Sequence, residues 1–170
     1  MTIKRLYGAI VAQAREPIFY REMGVPDTVE GRFDFLVLHM HLVNERLVAT
    51  GEAGIALGQE LLDHFFEDMD ASLREIGIGD LKVPKEMRTL AQAYLGRSAL
   101  YGQTIAKGDN AALGAAIARN ILGKEDAASA APLASYAIET THALNKRSLE
   151  QFLAGELEFP APKEVAANAE

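Results

Sequence analysis

Two histidines one residue apart, His39 and His41, stand in the otherwise apolar run of residues 33–43. Imidazoles can ligate a metal, carry a proton or simply hydrogen-bond inside a core. On a helix, residues two apart point about 200° away from each other, so one ion cannot readily take both. A helical zinc pair needs four-residue spacing, as in H-E-x-x-H, and the chain has none. The bland reading pairs each histidine locally, His41 with Glu45, four residues on, or with Asp34. A second metal-type motif is Glu139-Thr-Thr-His142, the Glu-x-x-His spacing of di-iron helical bundles. Such a centre needs that motif twice, and His64-Phe-Phe-Glu67 has the order reversed. The expectation is therefore no metal and no cofactor. A metal- or haem-handling helical-bundle enzyme using Glu139, His142 and His64 stands as the alternative.

Asp63, Glu67 and Asp70 gather carboxylates on one helical face, but no apolar residues surround them to raise a pKa, so they read as a solvated face. No Walker loop, GxGxxG or GxSxG is present, and "TGEAGIALGQ" lacks the strand and Lys-Ser/Thr of a phosphate loop. No catalytic residue is expected. The segment "AYLGRSALYG" places Tyr94, Arg97 and Tyr101 at i, i+3 and i+7, one helical stripe of residue types enriched at binding hot spots. The same stripe is compatible with two core tyrosines and an edge charge. Arg32, His39 and Arg46 recur at seven-residue steps and form a second candidate stripe.

The elements that must position these groups are all helices. Residues 3–15 carry Ile3, Leu6, Tyr7, Ile10, Val11 and Ala14 at helical spacing. Pro17 opens a short second helix, where its missing N–H costs nothing. Gly24 ends it, and Asp27-Thr28-Val29-Glu30 reads as a capping box in which Asp27 caps and Glu30 reaches back. The helix that follows is apolar on nearly every side, as expected of a central element. Residues 57–79 present one apolar face, from Leu61 to Ile76, and one acidic face. Pro84 starts a helix reaching Lys107 whose inner face runs from Met87 through Leu95 to Ile105. Asp109 caps "NAALGAAIARNIL", and a last helix spans residues 132–154. The tail, "GELEFPAPKEVAANAE", has the Pro/Ala/Glu composition of disorder. The fold class is all-α: a single-domain helical bundle of about six to seven helices over residues 1–154, with a disordered tail at 155–170.

At 170 residues the chain can bury roughly 68–70% of the surface its unfolded form exposes and needs no staple. It has no cysteine, which excludes disulfides, thiolate metal sites and cysteine nucleophiles. Its net charge of −7 argues against a general nucleic-acid grip. No apolar run approaches the roughly 20 residues of a membrane span. The start, "MTIKRLYGAIVAQAR", shares basic amphipathicity with mitochondrial presequences but not their serine content, and reads as the first helix of the fold. The expected location is the cytoplasm.

Several ordered segments together resemble one family: "REPIFYREMGVPDTVEGRFDFLVLHMHLVNERL", "LLDHFFEDMDASLREIGIGDLKVPKEMRTLAQAYLGRSALY" and "AIARNIL". Over about residues 6–122 the chain resembles the ubiquinol–cytochrome c chaperone family, with the look of an alphaproteobacterial member. The resemblance implies an all-α protein without enzymatic activity that assists assembly of the respiratory quinol–cytochrome c reductase, complex III. It implies newly made cytochrome b as partner, a small helper protein as a further one, and peripheral association with the cytoplasmic face of the inner membrane. The long N-terminal extension of mitochondrial members is not seen in this sequence. A client of that kind calls for a groove that takes an apolar helix. Residues 33–43 and 61–76 are expected at its floor; Tyr94, Arg97 and Tyr101 at its rim, with Arg32, His39 and Arg46 as a second stripe.

Overall fold

A helix that is apolar on every face needs neighbours on every side, and α3 (Val29–Ala49) has them. In this computed structural model, which describes residues 1–165, α3 packs against α1 (Thr2–Ala14), α4 (Glu52–Glu75), α5 (Val83–Ala106) and α7 (Ala131–Asn145). Between them lie the short α2 (Pro17–Arg21) and α6 (Asn110–Ile117), which runs on through a wide turn at Ala118–Leu122. A 3-10 turn at Ala127–Ala130 leads into α7, and α8 (Leu149–Leu153) follows. Among the described residues there is no strand. The all-α expectation holds.

Local chemistry sets the joints. Thr28, not Asp27, caps α3: the Gly31 N–H donates to Thr28 Oγ1 at 3.0 Å. Asp27 instead takes the Arg32 guanidinium at 2.7 Å, while Thr28 caps from extended backbone. Gly31 must be glycine, since a Cβ there would meet Pro26 O at 2.1 Å. The α3–α4 corner turns on Gly51, at φ 105°, and on Gly54, which approaches the α3 backbone at Leu47. The expected last helix is broken. α7 ends at Asn145, and Ser148 starts α8 with a capping box completed by Gln151.

The core runs the length of α3. Phe19, Phe35, His39 and Tyr136 form an edge-to-face aromatic cluster whose nearest ring centroids are 4.6 Å apart. Phe65, Leu61 and Leu38 are fully buried. The first part of the expected tail belongs to this core: Leu157 is buried and Phe159 lies against His39, with centroids 5.7 Å apart. Composition alone concealed those two anchors. The rest of the expected tail, residues 166–170, lies outside the described residues.

Candidate binding groove

Most of the residues expected at a binding rim hold the bundle together instead. Tyr94 and Tyr101 are 3% and 0% exposed, because the stripe i, i+3, i+7 faces α3 and α4 rather than water. Burial pushes the Tyr94 hydroxyl up to about 12 and raises Tyr101 further. Arg97 reaches across to Asp34 and ties α5 to α3. Burial holds the Asp34 carboxyl above the usual carboxylate range, and Arg97 offsets only part of that rise. Arg46 donates from Nη2 to the Arg147 carbonyl at 2.7 Å and locks α3 to the turn before α8.

The histidines are core polar groups, each with its own partner. His39 Nδ1 lies 2.9 Å from Phe35 O and Nε2 lies 2.8 Å from Tyr136 Oη. The Gln13 amide donates to the same hydroxyl at 3.0 Å, so the Tyr136 proton is left for His39 Nε2 and the Nδ1 proton for Phe35 O. His41 Nδ1 finds Ser98 Oγ at 2.6 Å, while Glu45 stands 4.0 Å away and Asp34 belongs to Arg97. Burial lowers both imidazoles to about 4, so both are neutral at neutral pH.

The metal alternative is not assembled. Glu139 holds Lys163 at 2.7 Å, and His64 packs edge-on against Tyr7. Among the described residues no three His, Cys, Asp or Glu side chains converge in a way that could hold an ion.

What the helices leave open is a groove of about 270 Å³ between α1, the start of α3 and the end of α4. Its floor is Phe33, Leu36 and Met69, which are partly buried and packed on the core. Val29 and Ile76 also line it and are 65% and 60% exposed. Arg15 and Arg32 border it, as do Asp68 and Glu75. Tyr7 closes one wall by donating to Asp68 at 2.6 Å; burial first, then that carboxylate, push its hydroxyl upward. Phe33, Leu36 and Met69 fall within residues 33–43 and 61–76, the two apolar stretches expected at a groove floor, and Arg32 of the second expected stripe lies beside them. Tyr7, Val29 and Asp68 were not anticipated: Val29 is an apolar residue at the first position of its helix, while Tyr7 and Asp68 lie within theirs and carried no separate signal. Leu95, expected inside, is 67% exposed on the outer side of α5.

Comparison with known proteins fixes the family. The family model for the ubiquinol–cytochrome c chaperone matches residues 21–159. This chain belongs to the ubiquinol–cytochrome c chaperone family. A solved structure, the Cbp3 homolog from Brucella abortus, superposes with a TM-score of 0.86 at 40% identity, over 94% of this chain and 89% of that one. Ubiquinol-cytochrome-c reductase complex assembly factor 1 of Xenopus laevis is 25% identical over 121 residues, 71% of this chain. The chain spans 60% of the length of that curated relative. No helix among the described residues of this chain is long and apolar enough to cross a membrane.

Proposed function

We propose that the protein is a non-enzymatic assembly chaperone for the ubiquinol–cytochrome c reductase that holds newly made cytochrome b in the α1–α3–α4 groove. The supporting observation is the groove itself, an apolar floor framed by two water-facing aliphatic side chains. A membrane subunit outside the bilayer exposes apolar helices, and an apolar helix laid into a matching groove hides its face from water. Covering Val29 and Ile76 is worth about 1.5–3 kcal/mol each at full burial. Arg15 and Arg32, set against Asp68 and Glu75, give the occupant an orientation. On this reading the protein works at the cytoplasmic face of the inner membrane, with a small helper protein as a further partner and no nucleic acid. Arg32 is the one residue of the expected contact stripes that borders the groove.

The test is capture of cytochrome b. V29D/I76D, co-expressed with tagged cytochrome b, should lose capture while keeping helical content and melting temperature. Undiminished capture by the folded double variant would reject the groove as the site.

A further inference from the structure

Beyond Ala154 the chain leaves helix and lies extended against α1, α3 and α7. Its attachment is unlike that of any helix. The amides of residues 157–164 donate to no acceptor among the described residues, and the segment is held by side chains instead. Phe159 stacks edge-on to His39; Gln13 donates to the Pro160 carbonyl at 3.3 Å; Lys163 meets Glu139 at 2.7 Å. Pro160 and Pro162 alternate with Ala161, the pattern of an extended polyproline-type strand that gives up little entropy on docking. Beneath its far end is a cleft of about 220 Å³ bounded by Met23, Pro132, Ser135, Tyr136 and Glu139. The Val165 amide donates to the Glu22 carboxylate at 3.4 Å, and a segment whose amides make no bond to another backbone can leave without breaking a ladder.

We propose that residues 157–165 are a displaceable internal ligand, and that the surface beneath is a second interaction site for an extended partner segment of the same chemistry. That segment carries an aromatic–proline anchor for the His39 wall and, four residues after the aromatic, a cation for Glu139. The Gln13 amide takes a backbone carbonyl between them. This site is separate from the α1–α3–α4 groove and does not depend on it: V29D/I76D leaves it intact.

The test titrates a fluorescent, acetylated peptide of residues 157–165, LEFPAPKEV, into the full chain. F159A vacates the anchor in cis and should bind the peptide at least about tenfold more tightly than wild type, because the internal competitor is weakened. A peptide with alanine in place of its phenylalanine should lose that gain. E139Q added to F159A should weaken binding several-fold and flatten its salt dependence, since one ion pair is gone. K163E loosens only the exposed clamp, keeps the core untouched, and should raise peptide binding a few-fold over wild type. V29D/I76D combined with F159A should bind the peptide as F159A does. Equal, unsaturable binding to wild type, F159A and K163E would overturn the proposal; if F159A does not fold, K163E equal to wild type suffices to do so.

Discussion

His39 makes the stability of the bundle depend on acid in a calculable way. In the unfolded chain its imidazole titrates near 6.5; in the fold, burial holds it at about 4, with the Phe35 carbonyl pulling weakly the other way. The unfolded state therefore takes up the proton first. Stability is whole above about pH 6.5 and drains away as the pH falls toward about 4. At about 1.4 kcal/mol for each pH unit crossed, His39 accounts for roughly 2.5 kcal/mol of loss between about pH 7 and pH 4.5. Because the ring is wholly buried, solvent screening does not reduce that figure. His41, lowered to the same value by burial alone, contributes a similar loss. The perturbation is H39Q, whose amide keeps a donor and an acceptor but does not titrate in this range. Urea unfolding followed by circular dichroism at both pH values gives the difference. H39Q should begin less stable at neutral pH and lose about 2.5 kcal/mol less than wild type on acidification, a gap on the order of 1 M in urea midpoint. Carboxylates titrate alike in both proteins and cancel. Parallel losses in wild type and H39Q would refute the reasoning.

Other substitutions probe the joints. G54A would put a Cβ 1.9 Å from Thr50 Oγ1 and 2.0 Å from Leu47 O, and should cost about 3 kcal/mol in chemical denaturation. R97A strands Asp34 in a partly buried site and should cost about 1–3 kcal/mol, with D34N/R97A recovering part of it in a double-mutant cycle. Y136F removes the hydroxyl shared by His39 and Gln13, and should lower stability by about 1–3 kcal/mol without changing helical content.

The fold was more legible than the contacts. An apolar run on every side of residues 33–43 could only be a surrounded helix, and α3 is one. Pro17, Pro84 and Asp109 marked helix starts because each satisfies a backbone constraint that holds in any fold. Tyr94 and Tyr101 illustrate the limit: helical spacing says that residues share a face, but not whether that face meets protein or water. Asp27 and Thr28 are both cap-forming residue types, and their order in sequence does not show that Thr28 takes the cap while Asp27 pairs with Arg32. The α7–α8 break carried no Gly or Pro; its signal was the Ser148-x-x-Gln151 box, written inside a pattern that otherwise continues as helix. In the tail, Pro, Ala and Glu outnumber Leu157 and Phe159, so composition concealed two anchors that meet their partners from far along the chain. The groove was half visible, its floor lying on strongly apolar stripes while its rim depends on how three helices diverge.

Complementation shows whether the water-exposed apolar groove serves complex III assembly. The gene is deleted in the organism that encodes it, and wild type or V29D/I76D is returned at equal protein level. Membranes are then scored by b- and c-type haem difference spectra and by quinol–cytochrome c reductase activity. The complex III b-type signal should be lost selectively in the deletion and in V29D/I76D and restored by wild type, with other respiratory complexes intact. Full complex III in the V29D/I76D strain would contradict that role for the groove.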